Sequence, residues 1–250
     1  MGMIQVVDLY KTFAGHQVLK GVNLTIEPGK ITTIIGGSGA GKTVLLKHLN
    51  ALLLPDRGQV LVDGVDITRL RQKGLNRIRN KFGVLFQGAA LLDSFNLFDN
   101  VAFPLREKTE MSETEIEKKV MERLEQVGLE QWGYKFPAEV SGGMKKRAGL
   151  ARALVQDPEI VLFDEPTTGL DPLLAKSIHD LIANTHNRFG FTGVIVSHDI
   201  PEVFAISHII AMLADGVIEE VGSPGDIENS KNPIVTQFIR ADIEVPIQVL

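Results

Sequence analysis

Cysteine is absent from the 250 residues, so disulfides, thiolate metal centres and cysteine nucleophiles are excluded. Long apolar runs are missing too. Stretches such as Ala89-Ala90-Leu91-Leu92 fall far short of the roughly 20 residues that a helix needs to cross a bilayer. Any membrane span is expected from another chain. The start, Met1-Gly2-Met3-Ile4-Gln5-Val6-Val7-Asp8, has no basic region leading into an apolar one, and no signal peptide is expected there. An excess of positive charge is lacking: the formal net charge is −5. That argues against a broad nucleic-acid surface, a local basic patch aside. No internal repeat or low-complexity linker interrupts the chain. What is present is 44% hydrophobic residues, enough for a sizeable core in one or two domains.

The most informative stretch is Gly36-Gly37-Ser38-Gly39-Ala40-Gly41-Lys42-Thr43, which matches G-x-x-x-x-G-K-[ST]. Lys30–Ile35 before it reads as a short buried strand, and Thr43–Leu49 after it as the opening of a helix. Glycines in such a turn let successive backbone N–H groups face a phosphate, and the helix dipole adds to the attraction. Lys42 would reach the β- and γ-phosphates of a nucleoside triphosphate, and Thr43 would offer its hydroxyl to Mg²⁺. No Asn-Lys-x-Asp motif for guanine occurs.

The remaining pattern frames this turn. Ile4–Leu9 and Val18–Ile26 read as strands, and Glu27-Pro28-Gly29 as a turn. Gly58–Asp63 alternates as a strand does, Asp66–Asn80 reads as helical, and Phe82–Phe86 as a strand. Residues from about Gly88 to Gln156 read as mostly helical. The clearest helix is Ser112–Val127, with capping-box spacing at Ser112 and Glu115, an apolar face of Ile116, Val120 and Leu124, and Gly128 as its stop. Ile160–Phe163 and Gly193–Ser197 are buried strands. Ile209–Leu213 and Val217–Val221 flank Asp215-Gly216, a hairpin signal. Ser230–Leu250 holds a short helix, Pro233–Ile239, and an irregular tail.

Two further segments carry chemistry. Ile160-Val161-Leu162-Phe163-Asp164-Glu165 is an apolar strand ending in two carboxylates. Asp164 suits a place near Mg²⁺, through a water, and Glu165 suits a general base for an attacking water. A helix N-cap pair is the alternative. Ser141-Gly142-Gly143 at a helix start suits a second phosphate contact. The economical explanation is that it faces a nucleotide held by another copy. Lys145, Lys146 and Arg147 read as a solvated helix face.

With these motifs in this order, the chain resembles the ATPase subunit of an ABC transporter over about residues 4 to 238. The Walker A octet is Gly36–Thr43, and Asp164-Glu165 ends Walker B. Gln87 in Leu85-Phe86-Gln87-Gly88 resembles the Q-loop glutamine, a Mg²⁺ ligand and γ-phosphate sensor. Val140–Met144 resembles the signature, Gly169-Leu170-Asp171 the D-loop, and His198 the switch histidine. Phe13 lies where the family stacks an aromatic on adenine, with Tyr10 as second choice. Each has a plain rival: Gln87 as a polar residue after a strand, His198 and Phe13 as core residues, Asp171 as a cap for a helix with Pro172 in its first turn. Met144 departs from the common glutamine of the signature, and methionine cannot make its hydrogen bonds. Together with Gly41–Lys47, Phe86–Ser94, Val101–Glu107 and Thr167–Pro172, it resembles the ATPases of Mla-type phospholipid transporters.

The resemblance implies one ABC ATPase domain over residues 1–250: an α/β P-loop core with a parallel sheet, an antiparallel β subdomain, an inserted helical subdomain at about 88–156, and a tail from about 240. It implies ATP and Mg²⁺ as cofactors, with Thr43, Gln87 and Asp164 at the metal and Lys42, Gln87, Glu165 and His198 in hydrolysis. Phe13, Gly36–Thr43, Ser141, Gly142, Gly143 and Asp171 would line the nucleotide. Implied partners are a second copy, an integral membrane permease, an MCE-domain subunit, a small regulatory subunit and a phospholipid cargo, with no nucleic acid. The place is the inner face of a bacterial inner membrane. Ala90, Leu91, Phe95 and Phe103 are candidates for the permease groove. An importer of another small solute, or a soluble ABC ATPase without permease, are the alternatives.

Overall fold

The computed structural model describes residues 3–243. The chain forms two compact units, one of residues up to Arg79 together with those from Thr192 onward, the other of Asn80–Phe191.

The first unit opens with strands β1 (Ile4–Phe13) and β2 (His16–Ile26), then β3 (Ile31–Ile35), helix α1 (Lys42–Leu49), β4 (Arg57–Val62), the two-residue β5 (Val65–Asp66) and α2 (Gln72–Arg79). β2-β1-β4-β5 make an antiparallel sheet. Alternation puts Ile4, Val6, Leu24, Ile26, Val60 and Val62 into its core. The helix expected over Asp66–Asn80 is broken. Asp66 accepts from Thr68 N at 3.0 Å and from Thr68 Oγ1 at 2.6 Å, closing a 3₁₀ turn over Ile67–Arg69 before α2 begins. This local side-chain bonding competes with helix propagation.

The second unit holds β6 (Phe82–Leu85), α3 (Leu97–Lys108), α4 (Glu113–Gln126), α5 (Gly142–Leu154), β7 (Ile160–Asp164) and α6 (Pro172–Phe189). β6 and β7 run parallel with Leu85 opposite Phe163. The helices α3, α4 and α5 pack around Leu97, Val101, Ile116, Val120, Leu124 and Ala148. Ser112 caps α4 in a full capping box with Glu115, as its spacing predicts, and Gly128 follows at φ +69°. The eighteen-residue α6 goes beyond the bare helix start that Asp171-Pro172 suggests.

The first unit resumes with β8 (Thr192–Ser197), the short α7 (Ile200–Phe204), β9 (Ile209–Ala214), β10 (Val217–Gly222), α8 (Pro224–Glu228) and α9 (Pro233–Ile243). β3 lies between β8 and β9, parallel to both, and β10 returns antiparallel on β9. Every residue of β3 and β8 is buried, as strands covered on both faces require. Asp215 (φ +46°) and Gly216 (φ +79°) make the expected tight hairpin turn. A side chain at Gly216 would meet Val18 O at 2.4 Å, because Lys20 N donates to Gly216 O there. α9 continues four residues beyond the Ile239 stop expected for it. The expected tail beyond α9 lies outside the described residues.

Candidate functional site

Parallel strands put their carboxyl ends, and the turns that follow, on one edge of a sheet. In the first unit that edge carries two of the expected motifs. Ile35 pairs with Ser197, so the turn from Gly36 and the residue His198 leave adjacent strands at the same level. The turn folds back through Ala40 N donating to Gly37 O at 3.2 Å and enters α1 with Gly41 at φ +103°. The α1 N-terminus has no side-chain cap and no acidic residue in its first turn. A helix start with no acidic side chain beside it favours a negatively charged ligand. Lys42 is buried and its Nζ donates to Gly36 O at 2.7 Å and Gly37 O at 3.1 Å, clasping the turn from below. Ser38 and Gly39 are exposed, and Thr43 half-buried. A cavity of about 520 Å³ opens beside Gly37–Ala40, walled also by Val18, Lys20, Ile234 and Gln237.

His198 is exposed, with Nε2 3.7 Å from Asp199 Oδ1, so it is not the core histidine of the plain alternative. Phe13 is 41% exposed at the β1–β2 turn, with Lys11 Nζ 5.4 Å from the ring centroid. The core alternative for Phe13 is likewise not what the structure has. Tyr10 is engaged instead: Arg57 lies 5.1 Å over its ring, and its hydroxyl crowds Gly21.

In the second unit the equivalent edge carries the acids. Asp164 and Glu165 are buried at 7% and 8% exposure. Glu165 sits at φ +49°, a left-handed conformation that costs a non-glycine residue about 1–2 kcal/mol. Its carboxylate Oε2 accepts from Thr168 Oγ1 at 3.2 Å. Neither acid is an N-cap; Asp171 is, accepting from Leu174 N at 3.0 Å with Pro172 at the first helical position. Ser141 caps α5, accepting from Met144 N at 3.3 Å, and stays exposed with Gly142, while Gly143 is buried.

Gln87 has an exposed side chain and a main chain held from beneath. Lys146 Nζ donates to Gln87 O and, at 3.3 Å, to Glu165 O. Arg152 donates to Ala89 O at 2.6 Å and Ala90 O at 2.7 Å. Asn100, fully buried, donates to Leu92 O, Phe95 O and Asn96 O and accepts from Leu92 N. Ala89 and Ala90 both take positive φ in the loop these three residues pin. Sequence reading missed all three. It placed Lys146 on a solvated helix face, whereas Lys146 is 5% exposed; Lys145 and Arg147 are half-buried, and Arg147 bonds Val127 O and Ser177 Oγ. The reason is α5's close approach to β6, where a Cβ on Gly149 would meet Leu85 at 2.8 Å. Burial lowers the Lys146 pKa from its ordinary value, and the charges of Asp164 and Glu165 pull it back up. Beyond this loop, Phe95 and Phe103 meet edge to face at 6.0 Å, with Phe103 and Ala90 exposed and Leu91 and Phe95 half-buried.

A family model described as "ABC transporter" matches residues 19–168. The chain belongs to the ABC transporter ATPase family. Among curated relatives, the "Intermembrane phospholipid transport system ATP-binding protein MlaF" of Haemophilus influenzae is 39% identical over 246 residues, 98% of this chain and 93% of the relative. MlaF of Escherichia coli K12 is 38% identical over 245 residues, 98% and 91% of the two chains. The "Probable ribonucleotide transport ATP-binding protein mkl" of Mycobacterium tuberculosis H37Rv is 45% identical over 236 residues, 94% of this chain but 66% of the relative. Two solved structures share the fold. The ATP-binding cassette MJ0796, a dimer in a post-hydrolysis state bound to ADP and Pi, has TM-score 0.82 and 33% identity, over 89% of this chain and 99% of that one. CbiO1 of Clostridium perfringens, part of the ABC transporter complex cbiONQ, has TM-score 0.84 and 30% identity, over 96% and 95%. The α/β P-loop core with parallel sheet, antiparallel β subdomain and helical insert is therefore the ABC ATPase fold, and the chain is an ABC-type ATPase that binds ATP. No helix among the described residues is long and apolar enough to cross a membrane.

Proposed function

We propose that this chain is the ATP-hydrolysing motor of a phospholipid transporter of the bacterial envelope. The observation that carries the reading is similarity along almost the whole length of MlaF, 98% of this chain and 93% of the relative. The mkl relatives favour a second reading, an ABC transporter ATPase for another solute, since their identity is higher at 45% although the chain spans only 66% of their length.

The whole chain acts as one ABC ATPase domain, its helical subdomain at about 88–156. Two copies close around two ATP molecules, each between Gly36–Thr43 of one copy and Ser141–Gly143 of the other. The uncapped α1 N-terminus and Lys42 take the phosphates, and Phe13, exposed and flat, takes adenine. Asp171 supports the closed dimer from the neighbouring copy. Magnesium asks for hard oxygen donors. Thr43, Gln87 and Asp164 offer a hydroxyl, an amide oxygen and a carboxylate, a donor set that fits it. Bound there, the ion would neutralise charge on the phosphates. Glu165 takes a proton from the attacking water, and His198 meets the γ-phosphate. Loss of that phosphate releases the interface, a bistable element biased by a ligand.

The pinned loop after Gln87, with Ala90, Leu91 and Phe95 in it and Phe103 on α3, receives a permease segment. An MCE-domain subunit, a small regulatory subunit and phospholipid complete the assembly on the inner face of the inner membrane. The test is affinity purification of Glu165→Gln with ATP and Mg²⁺ from native membranes, with proteins and lipids identified by mass spectrometry. A polytopic permease, an MCE-domain protein and enriched phospholipid are expected. A permease with a solute-binding protein and no lipid enrichment overturns the lipid assignment and leaves the motor.

A further inference from the structure

Lysine is seldom buried, and a buried ammonium needs acceptors on its hydrogens. Lys146 Nζ donates to two, and both are main-chain carbonyls of residues already placed at the chemistry: Gln87 and Glu165. The choice of main-chain atoms matters. The Gln87 side chain stays exposed and able to turn toward a ligand while its backbone is fixed. The Glu165 carbonyl is the one that also accepts from Thr168 N at 3.4 Å, inside the turn that holds the glutamate at positive φ. A backbone conformation of that kind persists only where its surroundings over-determine it.

Lys146 also has a particular place along α5. It follows Gly142 and Gly143 by about one helical turn, on a helix whose first bond, Lys145 N to Ser141 O, closes at 3.0 Å. Further along the same helix Arg152 grips Ala89 O and Ala90 O. The exposed start of α5 and the loop beyond Gln87 are thus joined by a stiff element with cationic grips.

We propose that Lys146 is a positioning residue that links the α5 N-terminus to the Gln87 loop and the Glu165 backbone of its own copy. The inference rests on the reading that Ser141–Gly143 meets a nucleotide held by the partner copy. Engagement of α5 by the partner's ATP then sets the glutamine and the general base that act on this copy's own ATP. The two nucleotide sites are thereby coupled through a residue that touches neither nucleotide.

The experiment compares Lys146→Met, Lys146→Arg and Glu165→Gln in the full chain. ATP affinity, kcat and KM are measured, and amide hydrogen exchange is followed by mass spectrometry. Lys146→Met is expected to keep ATP affinity within about twofold and lose tenfold or more in kcat. Exchange should quicken at residues 87–90 and 165–168 while the body of α5 stays protected. Lys146→Arg, which keeps a charged donor, should recover at least half of the lost kcat. Unchanged kcat in Lys146→Met, or a loss confined to ATP affinity, overturns the proposal. If Lys146→Met does not fold, Lys146→Gln replaces it: slower turnover than Lys146→Arg at equal ATP affinity is expected, and equal turnover overturns the link. Brisk turnover by Glu165→Gln would sink the reading of the site itself. A slow Glu165→Gln beside a normal Lys146→Met sinks only this inference.

Discussion

Replacing Gly36 by alanine tests how the first unit builds its phosphate turn. Gly36 follows β3 directly and has φ +153°, in a region that residues with a Cβ essentially avoid. A Cβ placed there would lie 2.2 Å from Leu213 O and 3.2 Å from Leu213 C. Ordinary contact begins near 3.4 Å, so the side chain falls about 1 Å short of the room it needs. The obstacle cannot step aside cheaply: Leu213 is backbone of β9, held between β3 and β10. Backbone strain of about 1–3 kcal/mol adds to about 1–3 kcal/mol for overpacking, together about 2–6 kcal/mol. Whole domains are stable by only about 5–15 kcal/mol. With an m-value near the top of the usual ~1–3 kcal/mol/M, the urea midpoint should fall by about 0.7–2 M. Far-UV circular dichroism is the right probe, because the one tryptophan, Trp132, lies in the other unit. Gly39→Ala is the control. Gly39 also has positive φ, +78°, but nothing within 4 Å of its Cβ position, so only about 1–2 kcal/mol of strain is expected. If Gly36→Ala is as stable as Gly39→Ala and binds a fluorescent ATP analogue normally, the reasoning about this turn is wrong.

Other perturbations separate the proposed roles. Glu165→Gln should bind ATP and dimerise but turn over about 10²–10⁴-fold more slowly, the usual worth of a general base; a steady-state phosphate-release assay reads this, and near-normal turnover removes Glu165 from the role. Ser141→Arg should leave ATP binding to the monomer intact and stop hydrolysis; lost monomer binding would contradict placement of Ser141 on the partner's nucleotide. Phe13→Ala should weaken ATP binding by about 1–3 kcal/mol, a typical base-stacking contribution, and equal affinity in equilibrium titration would return Phe13 to a plain turn residue. His48, buried with Nδ1 2.7 Å from Val44 O, has its pKa pushed below the ordinary histidine value by burial. The unfolded chain therefore takes up the proton more readily, and stability contributed by neutral His48 is lost as pH falls below about 6.5. Urea midpoints at pH 7.5 and 5.5 should show a smaller drop for His48→Gln than for the parent; an identical drop assigns the slope to other groups.

Much of the fold is legible because its decisive residues act locally. Ser112 with Glu115 caps α4, Asp215-Gly216 turns β9 into β10, and the glycines of 36–41 bend the chain between β3 and α1. Each works through its own backbone or a residue three positions away, so spacing alone reveals it. Where a side chain answers to a distant one, spacing is silent. Nothing in Ser-Gly-Gly-Met-Lys-Lys-Arg tells which cation is buried, since a helix presents a polar run to whatever packs on it. The answer lies in Gly149, whose missing side chain admits Leu85 and Ala89 and draws α5 down onto the loop. Asn100 is similar: from the sequence it is a polar residue inside an apolar helix, and only the loop around Leu92, Phe95 and Asn96 supplies the acceptors for its amide.

The same distinction explains which parts of the site were readable. Gly36, His198, Gln87 and Asp164-Glu165 all fall at or just past the carboxyl ends of strands β3, β8, β6 and β7. Within each unit, parallel strands deliver such turns to one edge, β3 and β8 in the first and β6 and β7 in the second, and open α/β sheets bind ligands at edges of this kind. Strand endings can be found from an apolar run followed by glycine or acid, so the residues that would touch nucleotide are announced by their own neighbours. The residues that hold those turns in place, Lys146, Arg152 and Asn100, come from helices, and they reach main-chain carbonyls rather than side chains. A carbonyl carries no mark of the residue it belongs to. The partner of such a grip is therefore invisible in sequence, and Lys146→Met, which leaves every named motif intact, is the substitution that asks whether the motifs alone suffice.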